Sequence, residues 1–269
     1  MSKTIRILML SGLIALVAVL PINAIAGDTL QRVIDFQVLK VGMSGNQPPL
    51  TMTNREGGLM GFDVDLAQAL AMAMNVKLEI MPMPFGELMA ALEEDEIDMV
   101  LSNMSITPER TEMVSFVGPY MMSGMSILTK DSVLGKISST EEFNRKGLKL
   151  LALSNSTHAA FVKKVAPDAT LIEFPSYDEG VAMLIEGKAD AMVADMTQCV
   201  LAVLRFPEAG LTTLSKPLTV EPIGIAISKD DAQFFNLVDN YLRAYEKTGV
   251  LTQLRKKWFE DNSWVAALP

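Results

Sequence analysis

Apolar and polar positions along this chain fall into two successive series of alternating strand and helix signals. In the first, Val38 to Met43 is a short apolar strand followed by the turn-rich Ser44-Gly45-Asn46-Gln47-Pro48-Pro49, and Gly57-Gly58 marks a hairpin-like turn. Asp63 or Asp65 can cap a helix whose Leu66, Leu70, Ala73 and Met74 form an apolar stripe. Lys77 to Met83 alternates as a strand, Phe85 to Glu94 reads as an amphipathic helix, and Met99 to Ser102 is a buried strand. The second series opens at the capping box Ser139-Thr140-Glu141-Glu142. It continues with strands at Lys149 to Leu153, Thr170 to Phe174 and Ala191 to Ala194. Helices start after Ser154 to Thr157 and at a second capping box, Ser176 to Glu179. Each series predicts a parallel sheet covered by helices.

The segments that end the two series predict how they join. Ser126 to Thr129 and Ile223 to Ser228 are extended and apolar, and read as two strands crossing between lobes. Asp231 to Phe259 is helical, broken near Gly249, and is assigned back to the first lobe. The expected organisation is a first lobe at 27–125, a second at 126–222 and a return to the first at 223–269. Two short crossings of this kind permit hinge closure.

The N-terminus stands apart from this pattern. Lys3 and Arg6 precede an apolar run from Ile7 to Leu20, and Ala24-Ile25-Ala26 has the form of a cleavage site. Residues 1–26 therefore read as a secretory signal peptide, the run being short for a membrane span of ~20 residues. No cysteine follows the cleavage site to carry a lipid. The mature chain is expected outside the cytoplasm.

Composition narrows the chemistry. The formal net charge of −9 becomes −11 once Lys3 and Arg6 are removed, which argues against nucleic-acid binding. There is one histidine, His158, and one cysteine, Cys199, in an apolar segment that predicts burial. Internal disulfides, Ser-His-Asp and Cys-His catalysis and multi-His zinc sites are excluded on that ground. The nineteen methionines read as adaptable core rather than a soft-metal site, because no Met-x-Met cluster adjoins Cys or His.

What remains is the set of polar residues that follow the apolar strands. In open α/β sheets, ligands sit beyond the carboxyl ends of strands. Those positions hold Ser44, Asn46 and Gln47, then Asn103, Met104, Ser105 and Arg110, then Asn155, Ser156 and Thr157, and finally Asp195. Thr107 is an N-cap with Pro108 at the first helical position and Glu109 in the first turn, so Arg110 lies beside helix N–H groups. Arg110, Ser105 and two helix N-termini suit an anion, and Asp195 suits a cation. A zwitterionic α-amino acid presents both charges. Lobes that close over it exclude water and strengthen both pairings.

The motifs Gly61-Phe62-Asp63-Val64-Asp65-Leu66, Ser105-Ile106-Thr107-Pro108-Glu109-Arg110, Gly118-Pro119-Tyr120 and Gly187-Lys188-Ala189-Asp190-Ala191, running on to Asp195, resemble the family 3 extracellular solute-binding proteins. The resemblance covers nearly all of the mature chain. It implies the type 2 periplasmic-binding fold, an α/β class with two Rossmann-like lobes joined by two hinge strands. It further implies a periplasmic, non-enzymatic and monomeric protein without cofactor or metal, which delivers a small-molecule ligand, an amino acid or related carboxylate, to an ABC transporter permease. By the same resemblance Arg110 and Ser105 hold the ligand carboxylate, Asn155-Ser156-Thr157 contribute from the second lobe, Asp195 accepts the ammonium, and Phe85 forms one wall. Gln47 and Leu50 stand where the family usually carries aromatics, and Ser44 where binders of basic amino acids often carry an acid. Asn103 and Asn155 stand where glycine is common, so each narrows the pocket or adds a hydrogen bond. The family's scaffold also resembles periplasmic cyclohexadienyl dehydratases acting on prephenate or arogenate, for which Glu87, Glu221 and Asp195 are the candidate acids, though the sequence places neither Glu87 nor Glu221 in the cleft. A soluble ligand-sensing partner of a receptor is the remaining alternative.

Overall fold

A computed structural model describes residues 28–131, 134, 143–261 and 263–269. The signal segment and the capping box at Ser139 lie outside them. Helix α1 (Asp28–Phe36) leads into β1 (Val38–Met43), and the turn-rich stretch that follows forms a small antiparallel sheet of β2 (Asn46–Gln47), β3 (Thr51–Thr53) and β4 (Leu59–Met60). Then come α2 (Phe62–Met74), β5 (Lys77–Pro82), α3 (Leu88–Glu93), β6 (Met99–Val100), α4 (Pro108–Thr111) and β7 (Ser115–Ser123). The next unit comprises β8 (Met125–Thr129), β9 (Lys149–Leu153), α5 (Thr157–Val165), β10 (Thr170–Phe174), α6 (Tyr177–Ile185), β11 (Ala191–Asp195), α7 (Met196–Arg205) and β12 (Thr212–Thr213). The chain returns through β13 (Glu221–Ile227) to α8 (Ala232–Thr248) and α9 (Val250–Arg255).

Two five-stranded sheets result, in the orders β5-β1-β6-β13-β7 and β10-β9-β11-β8-β12. In the first, β1 is parallel to β5 and β6, whereas β13 runs antiparallel to both β6 and β7. The amino end of β13 therefore lies at the same sheet edge as the carboxyl ends of β6 and β7, and Glu221 pairs with Ser123. In the second sheet, β8 runs antiparallel to β11.

The apolar stripes do what their periods require. Val41, Leu66, Leu70, Ile225, Phe234 and Trp258 are buried together around the first sheet, and Ile127, Leu150, Val162 and Val193 around the second. The C-terminal helices join the first core. The Asp65 carboxylate accepts Lys257 Nζ at 2.6 Å and Trp258 Nε1 at 2.7 Å, and the hydroxyls of Tyr241 and Tyr245 donate to carbonyls of α2.

Several elements differ from the pattern reading. The helix expected from Phe85 starts as a single 3-10 turn, Phe85–Glu87, before α3. Asp63, expected as a cap, is wholly buried inside α2, and Gly61 takes the cap position. The stretches expected to cross between lobes are instead full strands, β8 in the second sheet and β13 in the first. The crossings lie just outside them and run side by side: Met125 N–H donates to Thr219 Oγ1 at 3.0 Å, and a Cβ at Gly124 would sit 2.2 Å from the Thr219 carbonyl oxygen. Only glycine permits that approach.

Candidate functional site

Of the residues expected at the site, Ser105, Arg110 and Thr157 come together at one end, and Gln47, Asn103 and Asp195 at another. At the first end, Thr107 caps the short α4 by accepting the Arg110 N–H at 3.3 Å. Arg110 folds back so that Nη1 donates to the Ser105 carbonyl at 2.9 Å, and its guanidinium lies over the Phe85 ring at 5.6 Å. Burial lowers its pKa to about 10, and the nearby charges of Glu221 and Glu109 limit the fall; the group stays cationic at neutral pH. Its remaining N–H groups form a fork suited to a carboxylate.

Glu221 is the residue that strand-end reasoning missed. Its Oε2 accepts Ser105 Oγ at 2.7 Å and Thr157 Oγ1 at 3.1 Å, and Oε1 accepts Thr219 Oγ1 at 3.2 Å. Ser105 follows β6 of the first sheet and Thr157 opens α5 on the second, so one carboxylate at the start of β13 ties both together. The signal for it was the antiparallel sense of β13, which brings a strand's start to an edge where its neighbours end.

At the second end, Asp195 is buried at the tip of β11. Oδ2 accepts Asn103 Nδ2 at 2.7 Å and Oδ1 accepts Ser123 Oγ at 2.6 Å. His158 Nε2 stands 3.7 Å from Oδ2, an electrostatic rather than a hydrogen-bonding distance, while its Nδ1 is 3.1 Å from the Tyr177 hydroxyl. Burial pushes the Asp195 pKa up, but the His158 interaction and the side-chain donors outweigh it and hold the group below its usual value. Behind Asn103, the Asp63 carboxylate accepts the Asn103 N–H at 2.9 Å and the Tyr120 hydroxyl at 2.8 Å. Burial raises the Asp63 pKa to about 6.

Asn103 and Asn155 adopt positive φ, 53° and 56°. Asn is a residue that tolerates the left-handed region. The positions noted as common glycine sites thus keep a glycine-like backbone while gaining an amide. The Asn103 amide bridges Gln47 Oε1, at 3.1 Å, and Asp195. Asn155 abuts Gly86, where an added Cβ would meet its Nδ2 at 2.4 Å. Other expected residues have more local partners. Ser156 caps α5, accepting Ala159 N–H and donating to the Leu153 carbonyl at 2.6 Å. Met104 is buried in the core. Ser44 accepts Gln47 Nε2 at 3.0 Å and is bonded to Ser102, and Asn46 Nδ2 reaches the Pro175 carbonyl at 3.3 Å. A separate groove of about 710 Å³ opens between β7 and α8, lined by Pro119, Met122, Arg243 and Arg255 among others. There Arg243 pairs with Asp239 and Arg255 with Glu246, and of the cleft residues above only Tyr120, which stands behind Asn103, also lines it.

Residues 39–261 match the sequence profile of the bacterial extracellular solute-binding proteins, family 3. The chain belongs to this family. Among curated proteins it is 28% identical to a cyclohexadienyl dehydratase of Pseudomonas aeruginosa, over 86% of each chain. It is also 28% identical to the ABC transporter glutamine-binding protein of Bacillus subtilis, over 87% of this chain and 86% of that one. A solved binding component of an ABC transporter from Wolinella succinogenes, described as putative and complexed with lysine, superposes with a TM-score of 0.81 at 31% identity. That match covers 86% of this chain and 99% of the other. The two-lobed arrangement of this family 3 protein is accordingly the type 2 periplasmic-binding fold. Among the described residues, no helix is long and apolar enough to cross a membrane.

Proposed function

We propose that this protein captures a small zwitterionic ligand, an amino acid or derivative, between its lobes and delivers it to an ABC importer from the periplasm. The observation that carries the reading is the pairing of opposite chemistries at the two ends of one cleft. Arg110, with the Ser105 and Thr157 hydroxyls, faces an anion, and the ionised, buried Asp195 faces a cation. Relatives named for glutamine binding and solved with lysine support an amino acid. Closure about the paired crossings at Gly124 and Thr219 would shield both charge pairs from water. The test is a thermal-shift screen of amino acids and small organic acids, followed by calorimetric titration of hits. Stabilisation by at least one amino acid is expected; none across the panel overturns the reading.

One observation favours a second reading. Glu221 is a carboxylate held inside the cleft, and a dehydratase is among the relatives. An enzyme removing a hydroxyl needs such a group as general acid. Incubation with prephenate decides between the two: consumption of prephenate at catalytic protein concentration supports the enzyme, and unchanged prephenate alongside amino-acid binding supports the carrier.

A further inference from the structure

The hydroxyls assigned to a ligand carboxylate already hold a carboxylate of this chain. Ser105 Oγ and Thr157 Oγ1 both point at Glu221 Oε2, and a hydroxyl has a single proton to donate. For a ligand to gain those donors, Glu221 must release them. A ligand carboxylate placed on Arg110 alone would also sit beside a second carboxylate, and like charges at close range oppose one another. Glu221 is firmly placed for this role. It opens β13, it is paired in register with Ser123, and Thr219 anchors its other oxygen at 3.2 Å.

We propose that Glu221 is a specificity-determining residue, an internal competitor for the ligand carboxylate that penalises a free α-carboxylate and tolerates an uncharged, N–H-bearing group in its place. The inference rests on the amino-acid reading above. It predicts that the site grades ligands by the charge at their carboxyl end, and that an α-carboxamide, which can donate to Glu221, loses less than its missing charge on Arg110 would suggest.

The experiment compares wild type with Glu221→Gln. The panel is the twenty standard L-amino acids; the tightest binder and its α-carboxamide are then titrated calorimetrically into both proteins. Gln at 221 keeps the shape and an acceptor for the hydroxyls, and adds a donor for a carboxylate. The amino acid is expected to bind the variant at least 10-fold tighter, with no gain for the carboxamide. Uptake by wild type with no gain in the variant overturns the inference and leaves the amino-acid reading standing, as does an equal gain for both ligands. No uptake by either protein overturns both. Thr219→Ala covers the case in which Glu221→Gln does not fold. It frees one oxygen of Glu221, eases displacement and should tighten the amino acid 2- to 3-fold, against none if Glu221 does not compete.

Discussion

The two ends of the cleft each centre on a carboxylate surrounded by neutral donors, yet they are built differently. At the Asp195 end the acid lies at the tip of a parallel strand, and its donors are Asn103, which follows β6, and Ser123, the last residue of β7. Asp195 is buried, and among the described residues no Arg or Lys is ion-paired to it. At the Arg110 end the acid, Glu221, is also buried but begins an antiparallel strand, and a guanidinium stands nearby. Asp195, on the second sheet, is thus held by donors of the first lobe alone. Glu221, at the start of β13, instead draws donors from both lobes, Ser105 from the first and Thr157 from the second. Two buried carboxylates thus differ in their charged neighbours, His158 beside Asp195 and Arg110 near Glu221.

Asp195→Ala should give the largest effect and would break this contrast if it did not. It leaves the Asn103 amide and the Ser123 hydroxyl without their acceptor, so a loss of about 4 kcal/mol in urea unfolding is expected together with loss of amino-acid binding. Stability close to wild type would show that the Asn103 and Ser123 donors find other partners once the acceptor is removed.

The support behind that end carries a pH signature. The folded pKa of Asp63, about 6, lies above the ordinary 3.8, so the folded state binds the proton more tightly. The stabilisation is fully present below pH 3.8 and is lost as pH rises through 6. It amounts to about 3 kcal/mol by linkage. Asp63→Asn should remove this slope between pH 4 and 7 relative to wild type; parallel urea-midpoint curves for the two proteins would count against it.

Arg110→Ala sharpens the other side. An amino-acid ligand should bind about 100-fold more weakly, roughly 2.7 kcal/mol, while the melting temperature stays within about 3 °C of wild type. A large fall in melting temperature would make Arg110 a structural residue. The smallest effect belongs to Ser123→Ala. It takes one of the donors from Asp195 and should cost about 1 kcal/mol of stability and less than 10-fold in affinity, by the same two measurements.

Much of this was legible in the chain. The bounds of β1, β9 and β10 coincide with their apolar runs because polar or turn-forming neighbours close those runs on both sides. Thr107, Pro108 and Ser156 occupy the cap positions their chemistry favours. Ser105, Arg110, Thr157 and Asp195 could be placed because a residue after a parallel strand has one destination. Glu221 and Ser123 could not, since both depend on β13 pairing antiparallel to β7, a contact between distant segments. Asp63 was misread for a related reason. An acid at a helix start suits a cap, but its partners Asn103 and Tyr120 are 40 and 57 residues away, and the cap rule sees only neighbours.

Cys199 has a use that its chemistry alone does not suggest. Its thiol is fully buried under β11, and burial pushes its pKa up to about 12, so a thiol reagent meets almost no thiolate while the second lobe is intact. As the sole sulfhydryl of the chain, it becomes a clock. The rate at which reagent reaches it counts how often that lobe opens. A ligand that holds the lobe shut slows the clock, without any label having been introduced.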